Sequence, residues 1–163
     1  MKHILLLLLA LCLARPGTGR VRLPALIGSG MVLQRDCEAR IWGWAAPDAR
    51  IKLTASWDTQ THNVRADGEG RWDVRLRTPG AGGPYTLTID DGERVTLDDI
   101  LIGEVWLCSG QSNMEMPLKG FDSQPVHGGL DAAMRAGGYP GIRLFQVARA
   151  TASEPTRLQL ISY

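Results

Sequence analysis

A serine nucleophile needs a hydroxyl held clear of the fold, with backbone N–H groups nearby to meet a developing negative charge. Ser112 fits that pattern. It follows Val105-Trp106-Leu107-Cys108, an apolar run of strand formers expected to be buried on both faces, and the Ser109-Gly110 pair that ends the run. Gly110 permits a backbone twist that other residues resist. A side chain at such a turn projects beyond the sheet, where ligands bind in open α/β folds. Gln111 and Asn113 flank the hydroxyl and are expected to shape the turn or the pocket. The plainer alternative is a Ser/Gly turn after a core strand, because these residues dominate turns in general.

The elements that must hold this serine read as two blocks. Over residues 21–97 the text is β-sheet. Ile51-Lys52-Leu53-Thr54-Ala55 and Arg71-Trp72-Asp73-Val74-Arg75-Leu76 alternate with period two, the second placing Trp72, Val74 and Leu76 on one face. Asp67-Gly68-Glu69-Gly70 and Asp90-Asp91-Gly92-Glu93 are turn signals, and 79–84 is a Pro/Gly break. Short strands at this spacing predict an antiparallel sandwich. Past Ser112 the period changes. Residues 114–126 read as an irregular loop that could form a rim beside it, 129–136 as a short helix ended by Gly137-Gly138, and 142–147 as a second strand. Strand, turn, helix and strand make one βαβ unit, too little for a sheet covered on both faces.

Four of the five tryptophans (Trp42, Trp44, Trp57, Trp72) fall in the first block. Core and inter-domain packing is their expected role, since each buries on the order of 200 Å². A carbohydrate platform is the alternative, with Trp57 the best candidate for an exposed ring. His62 reads as a solvated strand-edge residue with no partner motif nearby.

The composition bounds the rest. The chain has 163 residues, 44% hydrophobic, with formal net charge +1, which points to neither a nucleic-acid-binding tail nor a polybasic membrane patch. Residues 1–19 read as a signal peptide. Lys2 and His3 precede an apolar core over 4–13, and Arg15-Pro16-Gly17-Thr18-Gly19 supplies a breaker and small residues, with cleavage expected after Gly19. The bulky Leu11 before Cys12 argues against a lipid-attachment box. Export to an extracellular, periplasmic or lysosomal space is therefore expected, and no later run is long and apolar enough to span a membrane. Cys37 and Cys108 remain in the mature chain. They define no disulfide framework, and Cys108 is expected as a buried apolar thiol. No Cys/His cluster has zinc-like spacing, so no metal and no cofactor is expected.

The string Trp106-Leu107-Cys108-Ser109-Gly110-Gln111-Ser112-Asn113-Met114 resembles the nucleophile block of the sialate O-acetylesterase family, within the SGNH-type serine esterases. Gly30-Met31-Val32-Leu33-Gln34-Arg35-Asp36, Ile41-Trp42-Gly43-Trp44-Ala45 and Gly82-Gly83-Pro84-Tyr85-Thr86-Leu87 are similar to that family's N-terminal β-domain. The resemblance covers about residues 30–147. It implies a mixed fold: an antiparallel β-sandwich over 20–98, then over 99–163 the first βαβ portion of a flavodoxin-like, SGNH-hydrolase α/β domain, truncated. It implies Ser112 as catalytic nucleophile, with Gly110, Gln111 and Asn113 shaping the turn or pocket. The implied partner is an acetylated sugar, O-acetyl sialic acid or a related glycan, deacetylated through an acyl-serine without a metal.

In SGNH-type enzymes the base and its acid come as Asp-x-x-His near the end of the catalytic domain. Gln124 stands three before His127, so His127 is expected to be a loop residue and the chain alone a poor esterase. Ser153-Glu154-Pro155-Thr156 still looks like a family loop, whereas 157–163 does not continue it, so the chain is expected to be truncated. Two other readings stay open: a non-catalytic secreted sugar-binding β-sandwich, and an acetylxylan-type esterase using the same block.

Overall fold

The computed structural model describes residues 20–147; the leader reading over 1–19 and the tail after 147 lie outside the described residues. Seven strands come first: β1 (Val32–Gln34), β2 (Glu38–Trp44), β3 (Arg50–Ala55), β4 (Thr61–Arg65), β5 (Arg71–Arg77), β6 (Gly82–Asp90) and β7 (Arg94–Gly103). They form a five-stranded sheet of order β1-β7-β6-β3-β4 and a two-stranded sheet β2-β5. Strands β3 and β5 fall where the alternation places them, whereas β6 begins at Gly82, inside the expected Pro/Gly break over 79–84. Ile51, Leu53 and Ala55 point inward from β3, Trp72 and Leu76 from β5, Leu87 and Ile89 from β6. With Ile41 and Ile100 they form one buried cluster to which both sheets contribute. Thr78 is the one buried polar side chain among the described residues. Its hydroxyl accepts from the Cys37 N–H at 3.1 Å and donates to the Gln34 carbonyl at 2.7 Å, joining the two sheets at one corner.

Two features differ from the expected antiparallel sandwich. First, β1 pairs with β7 in parallel, Val32 opposite Leu101 and Gln34 opposite Gly103. Second, β7 does not end near residue 98 but runs on to Gly103, through the expected domain boundary. The alternation in β7 breaks phase: Val95 and Leu97 face inward, then Ile100 and Ile102. Opposite them, Tyr85 pairs with Ile100 while Leu87 pairs with Leu97, so β7 carries an extra residue. That is a β-bulge, and Asp99 within it has φ +57°. A bulge destroys the two-residue period without ending the strand, which is why the pattern mimics a boundary.

Trp72 is buried, while Trp42 and Trp57 are half-buried against the core. Trp57 is less open than expected: its indole N–H donates to the Arg77 carbonyl at 3.2 Å, and its ring meets Tyr85 edge-on at 5.6 Å. Arg22 lies over the Trp44 ring at 5.8 Å.

After Gly103 the expected βαβ unit does not form among the described residues. Residues 105–108 are not a strand, and Trp106 and Leu107 are 83% and 92% exposed. Residues 142–147 are not a strand either, with Leu144 94% exposed. A helix does form, α1 (Gly129–Arg135). The physical reason is that a strand needs a hydrogen-bonded neighbour, and neither run finds one among the described residues. Cys108 is consequently exposed, not buried, and both it and half-buried Cys37 are free thiols. No helix among the described residues is long and apolar enough to cross a membrane.

Candidate active site

The bottom of the parallel β1–β7 pair launches the segment that carries Ser112. Gln34, last residue of β1, works in both directions. Its Nε2 donates to Glu104 Oε2 at 3.0 Å, and its Oε1 accepts from the Val105 N–H at 2.8 Å. Arg35 Nε donates to Glu104 Oε1 at 2.7 Å, and the Arg35 N–H to the Gly103 carbonyl at 2.9 Å. Downstream, Arg143 returns to the bulge. Its Nη2 donates to Asp99 Oδ1 at 2.9 Å and its Nη1 to the Asp99 carbonyl. The start of the 105–143 segment is therefore tied to β1 through Gln34, and Arg143 near its end is tied to the neighbouring strand β7 through Asp99. The sequence reading missed this role for Gln34, Arg35 and Arg143, because such partners are invisible in local periodicity.

Between the ties, residues 109–116 make a tight turn. Ser112 opens a short 3₁₀ helix, Ser112–Glu115, entered from extended Gln111. The Met114 N–H donates to the Gln111 carbonyl at 2.9 Å, and Met116 to Asn113 at 3.4 Å. Gly110, Gln111, Ser112 and Asn113 are all exposed. The Ser112 hydroxyl thus stands in solvent, on a turn rather than on a strand-to-helix elbow. The loop that follows folds back on itself through glycines. Gly120, at φ +74°, donates to the Pro117 carbonyl at 2.8 Å, and a Cβ on Gly129 would collide with the Leu118 carbonyl. Among the described residues after Gly103, these two glycines alone are buried, each against backbone of the same loop.

No base reaches this hydroxyl among the described residues. His127 is exposed on the loop. His62, expected to lack a partner, has one: its Nε2 lies 2.8 Å from Asp58 Oδ2, both half-buried. The His62 ring and the Gln60 N–H hold the Asp58 carboxyl below its ordinary range. The Asp-x-x-x-His spacing across the β3–β4 turn was the available signal. Yet β4 is the far edge of the sheet from β1, so this pair is not assembled with Ser112. Nor do the described residues contain three His, Cys, Asp or Glu grouped to hold a metal ion.

The Gln34–Glu104 junction is pH-sensitive in a defined direction. The Gln34 amide and then the Arg35 guanidinium hold the Glu104 carboxyl below the usual carboxylate range. Its folded pKa lies below its unfolded one, so its contribution is complete above the ordinary glutamate value of about 4.3 and is lost as pH falls through the depressed folded value. The protection factor of the Val105 amide against hydrogen exchange should therefore fall in acid below about pH 4. Gln34→Ala should lower it already at neutral pH. Protection unchanged in both conditions would contradict this role for the junction.

No protein-family model matches the chain. The chain is 30% identical over 161 residues to a sialate O-acetylesterase of Mus musculus, covering 93% of this chain and 29% of that protein. It is 35% identical over 106 residues to one of Homo sapiens, covering 58% and 20%. Among solved structures, a carbohydrate acetylesterase from Xanthomonas citri matches with TM-score 0.57 and 44% identity, over 61% of this chain and 23% of that one. The chain is thus a relative of carboxylic ester hydrolases that act on carbohydrates. Within them it shares its family with the sialate O-acetylesterases, and it spans 29% of the length of the mouse relative.

Proposed function

We propose that this chain supplies the β unit and the nucleophile segment of an exported esterase that removes O-acetyl groups from sialic acids. The observation that carries the reading is the exposed Ser112 on a turn whose segment is tied to the parallel β1–β7 pair, by Val105 to Gln34 and by Arg143 to Asp99; the named esterase relatives support it. In the proposed reaction Ser112 Oγ attacks the acetyl carbonyl carbon and its proton passes to a histidine base. Collapse of the tetrahedral intermediate breaks the bond to the sugar oxygen, which leaves with that proton. Water then cleaves the acyl-serine, releasing acetate and restoring the hydroxyl. The base, its acid and further oxyanion donors belong to sequence beyond the described residues. The exposed apolar runs at 105–108 and 142–147 become strands of a flavodoxin-like α/β layer once neighbouring strands pair with them, which would also cover surfaces that otherwise favour aggregation. Residues 1–19 act as the export signal in this reading.

The test is a splice of this chain onto the corresponding remainder of the mouse relative, given an O-acetylated sialic acid and acetylated xylan side by side. Acetate released preferentially from the sialate is the expected result. Release from xylan alone would overturn the substrate assignment, and a folded splice inert on both would overturn the esterase reading.

A further inference from the structure

An open groove of about 450 Å³ lies where the outward face of β5 meets the β3–β4 turn, lined by Trp57, Gln60, His62, Arg75 and Arg77 together with the carboxylates of Glu38 and Asp58. The charges lining it are unequally matched. The β2–β5 register sets Arg40 directly opposite Arg75, an arrangement of like charges that destabilises an antiparallel pair. Arg40 is relieved by Asp73 at 3.2 Å, and Arg77 has Glu38 at 3.9 Å. Asp58 is engaged by His62. Arg75, exposed, has no anionic partner among the described residues. A guanidinium left free on the wall of a groove is a fork-shaped donor matched to a carboxylate.

Trp57 and Gln60, also lining the groove, add the second element of recognition. Trp57 is fixed by its bond to the Arg77 carbonyl and by its edge contact with Tyr85, so it presents a rigid apolar surface. The backbone of Gln60 is anchored on Asp58 at 2.9 Å, while its exposed side-chain amide both donates and accepts. We propose that this groove is a binding subsite for a carboxylate-bearing sugar. Arg75 takes the carboxylate, Trp57 lies against the C–H surface of the ring, and Gln60 bonds its hydroxyls. The assignment does not depend on the role of Ser112, so either reading can fail without the other.

The test titrates the full chain with sialyllactose, with lactose as the neutral control and acetate as the bare carboxylate, following the Trp57 indole N–H resonance. Saturable shifts with sialyllactose are expected, with much weaker response to either control. Arg75→Gln and Gln60→Ala, both surface changes whose folding is checked by circular dichroism, should each weaken binding, the first at least about tenfold. Lys52→Gln, on the outward side of β3 in the other sheet, should bind as the unaltered chain does. Lactose or acetate binding as tightly as sialyllactose, an unaffected Arg75→Gln variant, or an equal loss in Lys52→Gln would each overturn the proposal.

Discussion

Alanine at Ser112 is expected to lower acetate release by the spliced esterase at least about 10³-fold, with the loss in kcat rather than KM. The hydroxyl is the only group in the proposed mechanism that bonds to the acetyl carbon, and nothing else in the turn replaces it. Gln111 and Asn113 carry amides, which do not form acyl intermediates. The 163-residue chain alone should behave differently. Among its described residues no histidine engages Ser112, and an unassisted serine hydroxyl is a poor nucleophile near neutral pH. Turnover of p-nitrophenyl acetate by the chain should thus be low and the same with or without Ser112→Ala. Strong Ser112-dependent turnover by the chain alone would mean that the base lies within it, with His127 the first residue to test.

The second large effect is on stability. Trp72 is buried between the sheets and its indole N–H has no partner among the described residues. Trp72→Ala should cost about 3–5 kcal/mol, against a total of about 5–15 kcal/mol for a typical domain. The chain should then unfold at far lower urea concentration or fail to fold. Trp72→Phe should be much milder. It keeps a ring in the core and removes a buried donor whose unmet bond costs about 1–3 kcal/mol, offsetting the volume lost. Urea midpoints for the two variants measure the contrast. If Trp72→Phe proves as damaging as Trp72→Ala, the indole N–H must be satisfied by a buried water.

The β region was legible because side-chain alternation is recorded locally. Ile51, Leu53, Trp72 and Leu76 declare their shared side of a strand without reference to what lies across from them. The turn at 109–113 and the short helix at 129–135 were legible for a similar reason: glycine placement and helical spacing act within a few residues. The misreadings have a common origin. Residues 105–108 are apolar and rich in strand formers, which records a preference for burial but not the existence of a neighbouring strand. His62 stands in a polar stretch whose local pattern names no partner, yet the β3–β4 turn folds Asp58 onto it at 2.8 Å.

Local pattern is enough to read β3 and β5, which of their faces are apolar, and that a serine stands on a turn after an apolar run. Only the tertiary structure decided that β1 runs parallel to β7, that Asp99 bulges out of β7 to receive Arg143, and that Gln34 holds the approach to Ser112. The division follows from range. Backbone preference and alternation are properties of a few consecutive residues, whereas a strand partner, a bulge and a side-chain tether exist only once distant parts of the chain have met.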